Sequence, residues 1–106
     1  MSDAVTPIRY SFVVKAVAKD DKAEEVATFL REAVDTANKE ATTLAWLAVR
    51  TDPVTFFILD GFANTTDRQK HLDGPIPAAL LASADRLLAS PPEILPADVL
   101  SVKLPR

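Results

Sequence analysis

The chain contains no cysteine, so a disulfide framework, a thiolate zinc site and a cysteine nucleophile are all excluded. It has one histidine and scattered carboxylates, with no two-ligand spacing that would hold a metal. Two glycines, Gly61 and Gly74, cannot build a glycine-rich phosphate loop. The charge balance of 12 basic and 15 acidic residues contains no basic stripe, which argues against nucleic acid and anionic membrane as partners. No apolar run approaches the ~20 residues of a membrane helix. The N-terminal Met-Ser-Asp-Ala-Val-Thr-Pro lacks a charged segment followed by an apolar one, so no secretory signal is expected and a cytoplasmic protein is.

What remains is ordinary globular composition, 48% hydrophobic and 25% charged, in a length that suits one domain spanning 1–106 with a loose leader over 1–7. Residues 8–18 read as a strand with Ile8, Tyr10, Phe12, Val14 and Ala16 on one face. Asp20 and Asp21 offer a helix cap, with Glu24 placed for a capping box. Ala23, Val26, Ala27, Leu30, Ala33, Val34 and Ala37 then form one apolar stripe over about four turns. Residues 43–50 and 54–62 form two strands joined at Thr51-Asp52-Pro53, a hairpin. Thr66-Asp67-Arg68-Gln69 reads as a capping box for a short helix to Leu72, broken by Gly74-Pro75-Ile76-Pro77. A further helix is expected over 77–89 and a last strand over 94–104.

The order β-α-β-β-α-α-β is a ferredoxin-like α+β plan with its second crossover helix split in two. Right-handed crossovers put the helices on one face of a four-stranded antiparallel sheet. The first and third strands are then central, and both are apolar on two sides. The uncovered face needs a cover, and a second copy's sheet supplies one; a homodimer is expected.

Few residues can carry chemistry. His71 either satisfies a local hydrogen bond or stands at a pocket and moves a proton. Asp60 sits in an apolar strand, where a lone carboxylate is costly. It therefore either pairs with Arg50, Lys15 or Arg68, or serves as a pocket carboxylate with a raised pKa. Trp46, sharing a strand face with Leu44, Ala48 and Arg50, belongs to core or interface, or walls a flat aromatic ligand. Tyr10, Phe12 and Phe62 add aromatic surface, and Asn64 is a turn or cap residue or an amide for a substrate oxygen.

The segment Phe-Phe-Ile-Leu-Asp60-Gly-Phe62-Ala-Asn-Thr-Thr-Asp-Arg68-Gln-Lys-His71-Leu72 resembles the signature of antibiotic biosynthesis monooxygenase domains. Those have an apolar third strand with an acidic residue, an aromatic residue two later, and a His-Leu pair ending a short helix. The resemblance implies a dimeric α/β barrel with a hydrophobic cavity between sheet and helices. It also implies oxidation of a phenol or quinol by O₂ without metal or flavin. On that reading His71, Asp60 and Asn64 are the candidate catalytic groups. Trp46, Arg50, Tyr10, Phe12, Phe62 and Arg68 are candidates to bind a small apolar aromatic substrate. No cofactor is expected. The haem-degrading branch is disfavoured, because Ala78 to Leu81 stand where its ligand histidine belongs. A non-catalytic binding module for an apolar metabolite, or a structural dimer with a self-filled cavity, would use the same apolar walls.

Overall fold

The structure is a computed structural model that describes residues 7–105. The expected leader therefore lies, apart from Pro7, outside the described residues. The elements run β1 (Tyr10–Val17), α1 (Ala23–Ala37), β2 (Ala45–Asp52), β3 (Thr55–Gly61), α2 (Thr65–Leu72), α3 (Pro75–Leu87) and β4 (Glu93–Asp98). They form one antiparallel sheet in the order β2-β3-β1-β4, so the two most apolar strands are central. This is the ferredoxin-like α+β arrangement that the order of elements implied.

The core lies between the helices and one face of this sheet. Phe12, Val14 and Ala16 of β1 and Phe56 and Ile58 of β3 meet Val26, Ala27 and Leu30 of α1 and Leu80 and Leu87 of α3. The alanines of the α1 stripe allow the helix to lie close to the sheet, and six stripe residues are buried. The seventh, Val34, is only half-buried because it walls a groove beside β2.

Several boundaries differ from the sequence reading. Asp20–Lys22 form a 3₁₀ turn, so α1 begins at Ala23 behind Lys22, with no side-chain cap and no Asp21–Glu24 box. Helix α2 is capped two residues earlier than expected: Asn64, in extended backbone, accepts from the Asp67 N–H at 2.7 Å. Helix α3 begins at Pro75, since prolines are tolerated where no intrahelical N–H is needed. It ends at Leu87, because Leu88 bridges Ala18 and the Ala89 N–H bonds Val17 O. Strand β4 stops at Asp98 rather than 104: its partner β1 begins at Tyr10, and beyond the Val99 N–H to Arg9 O bond no strand is left to pair with.

On the sheet face away from the helices, Leu47, Leu59, Val13 and Leu95 stand in register across all four strands. Leu47 and Leu95 are about half exposed, at 51% and 53%, so the face that the apolar pattern left without a cover is apolar indeed.

Candidate functional site

The site grows from an irregularity between the two central strands. Backbone pairing of β1 with β3 runs from Val17↔Thr55 to Val13↔Leu59 and resumes at Tyr10↔Phe62. In between, the Asp60 side chain replaces the ladder. Its Oδ1 accepts the Phe12 N–H at 2.6 Å and the Ser11 hydroxyl at 3.2 Å. The carboxyl is thereby fixed on the helix-facing side, with its other oxygen turned toward α2.

There it meets His71. Helix α2 is short and its last turn carries the imidazole inward, where it stacks at a tilt on Phe62, with ring centroids 5.3 Å apart. His71 Nε2 lies 3.7 Å from Asp60 Oδ2, longer than a hydrogen bond. On the other side, His71 Nδ1 lies 2.7 Å from Glu40 Oε1, in the turn after α1. The Thr43 hydroxyl donates to the same Glu40 oxygen at 2.8 Å. A carboxylate only accepts, which assigns the ring proton to Nδ1. Exposure rises along this row: the Asp60 side chain is 2% exposed, that of His71 5%, and that of Glu40 18%.

Burial dominates the electrostatics of Asp60. Loss of water raises its pKa above the ordinary carboxylate value, against the opposing pull of the Phe12 N–H, His71, Ser11 and Arg68.

Asp60 and His71 border a small void of about 20 Å³, walled by Phe12, Ile58, Ile76, Leu80 and Trp46 among others. That volume holds about one water or a diatomic gas, and no aromatic ring. Trp46 also borders a larger groove of about 410 Å³ between α1 and β2, with Leu30, Val34 and Phe56 as apolar walls and Arg31 and Arg50 among its lining. The indole Nε1 is buried without a hydrogen-bond partner, alone in this among the described residues. Trp46 is therefore the common wall of the groove and the void, and it has a donor to offer.

The other candidates lie apart from the void or are engaged elsewhere. Arg50 pairs with Glu24 at 3.0 Å and lies over Phe56, at the groove. Arg68 lies over Tyr10 and Phe12 and reaches the carbonyls of Ser11 and Ala97, tying α2 to β1 and β4. Asn64 is occupied as the α2 cap. Phe62 is fully buried beneath His71, edge-on to Phe12. The pairing of Asp60 with Arg50 or Lys15 is not made: Arg50 turns to Glu24, while Lys15 lies in register with Glu93 and Phe57. Glu40, Thr43 and Ser11 were not picked out from the sequence. Ser11 had a signal, as a small polar residue in an apolar strand; Glu40, 31 residues from His71, had none. No group of three or more His, Cys, Asp or Glu that could hold a metal ion occurs among the described residues.

No family model and no curated protein matches the chain. Among solved structures, the protein NE2512 from Nitrosomonas europaea, of unknown function, is 41% identical, with a TM-score of 0.89 over 93% of this chain and 96% of that one. Two others are provisionally described as antibiotic biosynthesis monooxygenases. One, from N. europaea, has a TM-score of 0.77 at 17% identity, over 91% of this chain and 94% of that one. The other, from Caulobacter crescentus, has 0.75 at 16%, over 89% and 92%. At such identities the likeness is one of fold. The chain belongs to the family of the N. europaea protein NE2512, built on the fold of the antibiotic biosynthesis monooxygenases.

Proposed function

We propose that the protein is a cofactor-independent monooxygenase for a small phenol- or quinol-type aromatic, acting as a homodimer. The observation that carries this reading is the Asp60–His71 pair on the wall of a small, largely apolar void behind Trp46. A carboxyl whose pKa burial has raised is a stronger base than one in water, and it sits beside an imidazole that can share its proton. The aromatic ring is too large for the void and fits the groove, where Phe56, Leu30 and Trp46 supply apolar contact. Rotation of Trp46 joins the two spaces, and its unpaired N–H then meets a substrate oxygen.

Removal of the phenolic proton by the pair leaves an electron-rich, carbanion-like anion. In a site without water this anion passes an electron to O₂, and the resulting radicals combine as a peroxide. Loss of water from the peroxide turns a ring CH₂ into a carbonyl. One oxygen atom enters the product and the other leaves as water. The substrate supplies all four electrons, so no metal, flavin or external reductant is required.

The test is O₂ uptake by chelator-treated, flavin-free protein with hydroxyanthrone and dihydroxynaphthalene substrates. Uptake should rise as the phenol ionises. Trp46→Ala and His71→Ala should each lower it, the latter by about 10²- to 10⁴-fold, as for loss of a positioned proton-transfer group. An effect under about threefold removes His71 from the reaction. Absence of uptake across the panel, with aromatic ligands still raising the Tm, would leave a binding module in place of an enzyme.

A further inference from the structure

We infer that Glu40 is the outer member of an Asp60–His71–Glu40 relay that carries a proton between the void and solvent. The inference rests on the acid–base reading of Asp60 and His71 and extends it to a residue that never touches the void. Glu40 is a positioning residue, acting through the imidazole.

The geometry has three parts. The three groups stand in a row, with Asp60 Oδ2 3.7 Å from Nε2, beyond hydrogen-bond length, and Nδ1 2.7 Å from Glu40 Oε1. It runs from the inside out, Glu40 being the one member with appreciable solvent contact. Glu40 is also held in place: its N–H bonds Ala37 O, its carbonyl accepts from the Thr43 N–H, and its carboxylate accepts from the Thr43 hydroxyl. A Cβ at Gly74 would crowd the His71 carbonyl at 3.1 Å, while Glu40 Oε2 would stand at an ordinary contact distance of 3.7 Å. The other charged group near the row is Arg68, whose field acts on Asp60. Helix α3 contributes only apolar Ile76, Pro77 and Leu80 to the void.

The transfer balances. A proton taken up by Asp60 passes to Nε2 while the Nδ1 proton passes to Glu40 and on to water. Imidazole is left with its proton on Nε2. A proton returning inward, as peroxide breakdown requires, runs the same steps in reverse and restores the Nδ1–H form. The 3.7 Å gap is closed by a small swing of the imidazole or by one water, for which the void has room.

His71 is the chain's only histidine, so imidazole ¹⁵N spectra of the full-length protein report on it alone. The wild type should carry its ring proton on Nδ1; a proton on Nε2 alone overturns the relay. Glu40→Gln keeps an acceptor oxygen and removes the base. Exchange of the Nδ1 proton with water should then slow by about tenfold or more, with the Nδ1–H form retained. Glu40→Asp keeps a carboxylate and should recover part of that rate. Equal exchange in wild type and Glu40→Gln, or equal slowing in both variants, overturns the inference. Should Glu40→Gln fail to fold, Thr43→Val takes its place, loosening Glu40 without removing it, and unchanged exchange is again the overturning result. No substrate is present in these measurements, so a failure of O₂ uptake and a failure of the relay are separately readable.

Discussion

Asp60 is the residue at which stability and chemistry meet. Its folded pKa is raised above the ordinary 3.8 by burial. Below that ordinary value the group is protonated in both the folded and the unfolded chain. As pH rises through the folded value, the native state loses a proton that the unfolded chain has already lost at lower pH. The contribution of Asp60 to stability is therefore largest in acid and declines toward neutrality. Asp60→Asn abolishes this dependence while keeping an acceptor for the Phe12 N–H. Urea melts of the variant should gain on wild type from pH 4 to pH 7; a constant difference would show that burial of the carboxyl does not govern its ionisation. Asp60→Leu should be worse than Asp60→Asn by about 1–3 kcal/mol, because it strands that buried N–H in the middle of the sheet. The carboxyl thus has a structural partner as well as a place at the void.

Among the elements, α2 has the greatest effect for its length. It has eight residues, too few to be stable alone, and it places His71 in its last turn. The Asn64 cap starts it, and Arg68, reaching the Ser11 and Ala97 carbonyls, and His71, bonded to Glu40, anchor it. Asn64→Ala should cost about 1 kcal/mol, the usual worth of a helix cap. If the cap serves His71 only by holding the helix, turnover at saturating substrate should fall less than in His71→Ala. An Asn64→Ala loss of turnover as large as that of His71→Ala, with the melting temperature unchanged, would instead give the amide a direct part in the reaction. Asn64→Ser, which also caps and sets no second carboxylate beside Asp67, should restore stability and so separates the two roles.

At the scale of the molecule, the uncovered sheet face is where the proposed homodimer would form. Leu47, Leu59, Val13 and Leu95 make one apolar row across four strands, with Val49 and Phe57 beside it. A row of this kind facing water is an interaction surface. Light scattering at micromolar protein should give twice the monomer mass, and Leu59→Glu, which places a charge in the middle of the row, should give the monomer. Leu59 faces away from the void, so the variant also tests whether the site needs a second copy. A wild-type protein of monomer mass would remove the homodimer from the proposal.

The order and type of the elements were legible in the sequence because each carries its own period: alternating residues in β1, a stripe from Ala23 to Ala37 in α1, and proline breaks around α3. The central place of β1 and β3 was legible as well, since only covered strands tolerate apolar residues on both faces. Asp60 and His71 stood out for the converse reason, as polar groups in apolar or sparsely polar surroundings. Other features depended on tertiary structure. The 3₁₀ turn before α1 and the early end of β4 depend on where neighbouring segments run, and local propensity does not contain that information. Glu40 meets His71 across 31 residues of sequence, with no spacing or motif to link them. Trp46 separates groove from void only because β2 is an edge strand beside α1. Local period determines which segments are strands and helices. Which polar groups meet at the void was decided by packing, because a buried carboxyl must take its partners from whatever the fold brings within hydrogen-bonding distance.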